Sequence, residues 1–177
     1  LANHWIKVFF EAFDFYPQRF ISSGYLAEKV LINNKIQIPL FRENHFKINE
    51  FAWRSYYGAR FEILKRGFIG EAHLYDINSA YPYSLSIIPD ITKGQWIKSK
   101  SLLDKSHLGF FKIKCDIPDD KYIPPFPFRT NGKLIFPSGQ FITYCTLAEL
   151  RAYNEPKHYK ILESFQYLYN NPVYPYK

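Results

Sequence analysis

A carboxylate, a hydroxyl and a phenol lie close together in Leu74-Tyr75-Asp76-Ile77-Asn78-Ser79-Ala80-Tyr81-Pro82. The apolar run into Asp76, then Asn78-Ser79, reads as a strand, a tight turn and a helix start. A carboxylate at the end of such a strand can ligate magnesium and share the ion with phosphate oxygens. The backbone N–H groups of Ser79, Ala80 and Tyr81 would face the same space and suit a triphosphate. Tyr81 would form the floor beneath the sugar. A bare Asp-x-x-Ser carries little weight, because an ordinary strand–turn–helix corner with a capping serine looks the same.

The full string carries more. Asp76-Ile77-Asn78-Ser79-Ala80-Tyr81-Pro82 resembles motif A of family B DNA polymerases, Asp-x-x-Ser-Leu-Tyr-Pro, on the palm domain. Asp76, Ser79, Tyr81 and Pro82 match it, and Ala80 replaces leucine, which shrinks a packing contact without removing a functional group. The resemblance implies that Asp76 is a catalytic metal ligand aided by the Ile77 carbonyl, that Ser79, Ala80 and Tyr81 hold the incoming nucleotide, and that two Mg2+ ions serve the intact enzyme. It also implies that Tyr81 is a steric gate, its ring occupying the place of a ribonucleotide 2′-OH.

Upstream, Tyr56-Tyr57-Gly58-Ala59-Arg60 resembles the Tyr-x-Gly-Gly/Ala motif that joins the exonuclease and polymerase parts of this family. There the resemblance implies DNA binding: Gly58 and Ala59 let the template backbone approach, and Tyr56, Tyr57 and Arg60 lie beside bases or phosphate. A helix C-terminus closed by Gly58 is compatible with that role. Downstream, Phe136-Pro137-Ser138-Gly139-Gln140-Phe141 followed by Thr146-Leu147-Ala148-Glu149-Leu150 is similar to the palm segment after motif A, where a turn precedes a strand and a helix. The interval from Leu85 to Phe136 has room for the insertion that contacts the terminal protein in protein-primed members, so that branch is the expected one. The resemblance covers roughly residues 48 to 168. It implies an exonuclease tail over 1–47, the linker motif and palm with motif A over 48–101, and a palm continuation with a terminal-protein-contacting insertion over 102–177.

The elements that must position these residues follow from periodicity. Ile6, Phe9, Phe10 and Phe13 recur at helical spacing up to the stop at Pro17. Ser22-Ser23 offers an N-cap for a second helix through Leu31, broken by Asn33-Asn34. Residues 35–47 read as a connection, and Asn49 as the cap of a short helix ending at Gly58. Arg60–Leu64 and Phe68–Asp76 alternate as strands about a Lys65-Arg66-Gly67 turn. Ser79 caps a helix through Leu85 and Ile87, with Pro82 in its first turn. Strands are expected at Gly109–Asp116, Lys133–Phe136 and Lys160–Leu168, with a proline-rich connection over 118–127. Thr146 and Glu149 form a capping box opening a helix to about Tyr153. The expected fold is α+β: a palm-type antiparallel or mixed sheet with packed helices, an incomplete domain.

Composition sets the outer bounds. The 177 residues carry a net charge of +7 and 20% aromatic residues, which excludes global disorder and favours an anionic partner. No apolar stretch is long enough for a membrane helix, and no secretory leader is visible, so no membrane partner is expected. The chain has no methionine, Leu1 included, and reads as a piece of something longer. Cys115 and Cys145 read as buried, reduced thiols. The five histidines lack metal-ligand spacing, and Asp119-Asp120 reads as a solvated turn. Missing are the Lys-x-x-x-Asn-Ser-x-Tyr-Gly fingers helix, the Asp-Thr-Asp of motif C and the Asp-x-Glu of the exonuclease.

The expected function is therefore that of a DNA polymerase fragment, inert alone. Its parent would use primer-template DNA, dNTP and a terminal protein, inside the cell where viral, plasmid or organellar DNA replicates. The rival expectation is a non-catalytic module derived from such a palm, binding nucleic acid or a partner protein.

Overall fold

The computed structural model describes residues 2–36, 45–58 and 60–177, and the chain divides into two compact units, residues 1–40 and 41–177.

In the first unit, α1 (Ala2–Phe13) and α2 (Ser23–Asn33) form where the apolar spacing and the serine cap predict. The left-handed Asp14 ends α1 (φ 55°) and turns the chain back on its own rings. Phe9 then meets Phe13, Phe15 and Phe20 at centroid distances of 4.8, 5.3 and 5.8 Å. Ser22 Oγ accepts the Tyr25 N–H at 3.2 Å, satisfying one orphan donor of α2.

The second unit is built on a four-stranded antiparallel sheet in the order β1-β6-β2-β5, from β1 (Gln95–Ser99), β2 (Ser106–Ile117), β5 (Gly139–Thr146) and β6 (Tyr159–Leu168). From Gly109 to Ile117 β2 alternates between buried and more exposed residues. Phe111, Ile113, Cys115 and Ile117 point to one face and are buried there with Phe126, Cys145, Leu147 and Leu150. Each such large side chain contributes about 1.5–3 kcal/mol of burial. α5 (Leu147–Tyr153) covers this face, opened by the expected capping box: Glu149 accepts the Thr146 N–H at 2.6 Å, and Thr146 Oγ1 accepts the Glu149 N–H at 3.4 Å. α3 (Phe46–Arg54) covers the other face, where Phe51 meets Tyr144 and Phe165 edge-on at 5.2 and 5.0 Å. A small second sheet pairs β3 (Phe128–Thr130) with β4 (Lys133–Ile135) about Asn131-Gly132, both at positive φ as a tight hairpin turn requires.

Two side chains of β6 tie loops to the sheet. Buried Gln166 accepts the Leu103 N–H and donates to the Ser101 carbonyl, fastening the β1–β2 connection. The buried Tyr167 hydroxyl accepts from the Gly94 N–H and donates to the Asp90 carbonyl at 2.6 Å. A Cβ on Gly94 would sit 2.4 Å from the Leu168 carbonyl oxygen, so only glycine allows this approach.

Several expectations are corrected. The hairpin of Arg60–Leu64 and Phe68–Asp76 does not form: residues 60–78 are irregular and almost wholly exposed. Gly67 and Gly70 both adopt positive φ (90° and 74°), and no other strand among the described residues pairs with the segment. A lone hairpin with no face to bury is marginal in water, so alternation alone does not hold it. α3 begins at Phe46, with His45 rather than Asn49 at its N-cap, and ends before Tyr56. Packing of Phe51 on the sheet, not a local cap, sets its extent. Ser79 does occupy the N-cap of α4 (Ala80–Ser86), but in a left-handed conformation (φ 55°) with no side-chain capping bond, because capping needs an extended backbone. β1 and β3 are additional strands. Every strand pairing among the described residues is antiparallel.

Candidate functional site

The Asp76–Pro82 segment crosses the surface as an irregular turn into α4. Asp76 is exposed and makes no ion pair or side-chain hydrogen bond among the described residues. Ile77 is exposed, and the Tyr81 ring is 90% exposed. Among the described residues, the segment carrying Asp76 is tied to the sheet unit by side-chain or backbone hydrogen bonds only outside it, at Arg60 before and at Asp90 after. Before it, Arg60 Nη1 donates to the Pro124 carbonyl at 2.8 Å, its guanidinium lies 3.8 Å from the Phe136 ring centre, and it pairs with Glu62 at 2.7 Å. After it, Asp90 and Gly94 are fastened to Tyr167, and the Asp90 N–H donates to the Val173 carbonyl at 2.8 Å.

As a metal site the segment offers the Asp76 carboxylate and the Ile77 carbonyl. Both are hard oxygens, and magnesium is held by one or two carboxylates together with waters and phosphate. The donor set therefore fits a single ion's protein share. The described residues hold no group of three or more Asp, Glu, His or Cys side chains placed around a cation. Ser79, Ala80 and Tyr81 open α4, and the Ser79 hydroxyl is left free of capping.

The Tyr-x-Gly segment sits differently. Ser55 Oγ donates to the Cys145 carbonyl at 3.3 Å, and Tyr57 bonds to Thr143 Oγ1 at 3.1 Å, so the chain leaving α3 runs along β5. Thr143 gives its own proton to the Pro127 carbonyl, which makes the Tyr57 hydroxyl the donor. Tyr56, Tyr57 and Gly58 (φ 74°) line an open cavity of about 590 Å³ with Trp53, Arg54, Phe128 and Arg129 and the β5 residues 142–144. Two guanidinium groups lie over its rings: Arg54 is 5.2 Å from Tyr144, and Arg129 is 5.6 Å from Tyr57.

Of the residues singled out by sequence, the structure brings Tyr56, Tyr57 and Gly58 into this cavity. Arg60 is engaged elsewhere as a clamp, Ala59 lies outside the described residues, and Asp76, Ile77, Ser79, Ala80 and Tyr81 form a separate surface segment. Sequence reasoning missed Trp53, Arg54, Phe128, Arg129 and Tyr144. The Asn131-Gly132 turn was the available signal for the β3–β4 hairpin that carries Phe128 and Arg129.

Residues 11–174 match the family described as DNA polymerase type B, organellar and viral. The chain belongs to that family. Among solved structures it is similar to phi29 DNA polymerase complexed with primer-template DNA, a post-translocation binary complex, with 15% identity and a TM-score of 0.51. That likeness covers 94% of this chain and 31% of the phi29 chain, so the chain spans about a third of that polymerase's length. No curated protein sequence matches it. The type B polymerase fold is thus an α+β arrangement here, with two helices of the second unit packed on opposite faces of an antiparallel sheet.

Proposed function

We propose that this chain is the part of a protein-primed DNA polymerase that carries its first catalytic carboxylate. The family match supports a polymerase parent, and the observation that carries the assignment is Asp76: exposed, with no competing partner among the described residues, in the one string that matches motif A. In the intact enzyme a primer 3′-OH, or the hydroxyl of a terminal protein, attacks the α-phosphorus of a dNTP in line. The new P–O bond forms as pyrophosphate leaves, and the hydroxyl proton is lost. Asp76 and the Ile77 carbonyl would hold magnesium, which when bound neutralises phosphate charge and favours the deprotonated hydroxyl. Ser79 to Tyr81 hold the triphosphate by their N–H groups, and the Tyr81 ring excludes a ribose 2′-OH.

Two-ion phosphoryl transfer needs more carboxylate than Asp76 supplies, so the 177-residue chain alone is inactive. Its workplace is where viral, linear-plasmid or organellar DNA is copied.

The test is Asp76→Ala in the complete polymerase. Loss of one oxyanion donor costs enzymes about 10²–10³ in rate, and loss of a metal carboxylate is expected to cost at least about 10³. Primer extension should fall by that factor while DNA binding is retained. Near-normal incorporation by the variant would remove the assignment.

A further inference from the structure

α4 carries Tyr81 yet has no packing of its own: none of its residues is buried. Internal bonds stiffen it. The Tyr83 N–H donates to the Ser79 carbonyl at 2.9 Å, and the Ser84 and Ser86 hydroxyls donate to the Ala80 and Tyr83 carbonyls at 2.8 Å. Upstream the chain is slack, because every residue from 61 to 79 is exposed and Gly67 and Gly70 lie within that run. Where α4 stands is therefore decided downstream. There Pro89 is buried, and Asp90 lies only nine positions from Tyr81 (90 − 81).

Asp90 is held from three sides. Its N–H donates to the Val173 carbonyl at 2.8 Å, and its carboxylate accepts from the Thr92 N–H and hydroxyl at 2.9 and 2.6 Å. Its carbonyl accepts from the Tyr167 hydroxyl at 2.6 Å, while the same hydroxyl oxygen accepts the Gly94 N–H. Tyr167 is fully buried, with its ring 5.3 Å from Trp96, so its hydroxyl ties the exit of α4 to a fixed point of the sheet. Burial pushes this phenol above its ordinary value of 10, so the oxygen keeps the proton it gives to Asp90. A phenylalanine ring would fill the same space; what the hydroxyl adds is the bridge.

We infer that the Tyr167 hydroxyl is a positioning group for Tyr81: its bridge from β6 to Asp90 and Gly94 sets where α4 stands, and with it the ring of the proposed steric gate. The inference rests on the polymerase reading of Asp76–Pro82. It makes sugar selection depend on a side chain 86 positions from the gate (167 − 81). A stiff helix carries any shift at Asp90 to Tyr81, and misplacement by about 1 Å is already felt in positioned sites.

The experiment measures ribo- against deoxynucleotide incorporation by the complete polymerase carrying Tyr167→Phe, Tyr81→Ala or both. Tyr167→Phe keeps the ring and removes only the bridging oxygen. Relative ribonucleotide use should rise about 2- to 12-fold, the factor that the net contribution of one hydrogen bond supports, with primer-template binding unchanged. In the Tyr81→Ala background the same change should add nothing, because no ring remains to misplace. Gly94→Ala breaks the bridge from the other side, since its Cβ would lie 2.5 Å from the Tyr167 oxygen, and should move the ratio the same way. A hydroxyl with a merely structural role would lower stability in urea and leave the ratio where it was. An unchanged ratio in Tyr167→Phe, or a rise that persists without the Tyr81 ring, would overturn the inference. The two readings fail separately. If Tyr81→Ala itself leaves the ratio unchanged, the gate is lost and this inference with it, whereas a failure confined to Tyr167→Phe leaves the gate standing.

Discussion

Tyr81 illustrates what one side chain decides. Its ring is almost fully exposed at the first turn of α4, two residues after the left-handed Ser79. As the proposed steric gate, this ring would act on a sugar by its bulk, with no hydrogen bond required. In the complete polymerase, Tyr81→Ala should raise ribonucleotide incorporation relative to deoxyribonucleotide by about 10- to 200-fold, the discrimination that small steric differences support. Tyr81→Phe should leave it unchanged. A ratio of ribo- to deoxynucleotide use that does not move in the alanine variant would exclude the gate. Arg60 shows the converse: read from its motif it is a DNA contact, but its guanidinium is engaged by Glu62, the Pro124 carbonyl and the Phe136 ring. Those three partners lie from 2 to 76 positions away (62 − 60 and 136 − 60), so local sequence did not announce the long-range two.

At the scale of elements, the β1–β6 pair has an electrostatic component whose sign can be worked out. Lys98 of β1 bonds to Glu163 of β6 at 2.6 Å and holds that carboxyl below its ordinary value of 4.5, with Lys47 and Lys112 adding to the effect. A folded-state pKa below the unfolded one contributes stability above the unfolded value and loses it as pH falls through the folded value. Relative to Glu163→Gln, the parent should be more stable by about 0.2–1 kcal/mol at neutral pH, the range for a partly exposed pair. The difference should close on acidification below the ordinary glutamate range. Urea unfolding at a series of pH values measures it, and a difference that persists at low pH would show that the pair is not its source. The elements also sort by legibility. α2 and the α5 capping box carry their own start signals, and both form as expected. The 60–76 hairpin had only alternation, which cannot supply the face that strands need.

For the second unit as a whole, the core between α5 and the sheet holds both cysteines. Burial pushes the Cys115 thiol up to about 12, and burial with the Glu149 carboxylate raises Cys145 well above the ordinary thiol value. Both are free thiols, and only a thiolate attacks thiol reagents readily. Native protein at pH 8 should therefore leave both unlabelled by a disulfide reagent, and both should react on unfolding in urea. The labelling rate then reports opening of this core, and rapid labelling of either thiol in native protein would contradict the packing.

The linear order of residues was enough to show a string resembling motif A at Asp76–Pro82, to predict an α+β fold and to find buried thiols, because each of these depends on neighbours a few positions apart or on side-chain type alone. Only the folded chain joined Trp53 and Tyr56 to Phe128, Arg129 and Tyr144 in one cavity, and only it left the segment before Asp76 without a strand partner. Both outcomes are set by which strands pair and which faces they cover, and contact between segments 86 to 90 positions apart follows from the packing energy of the whole unit rather than from any local code.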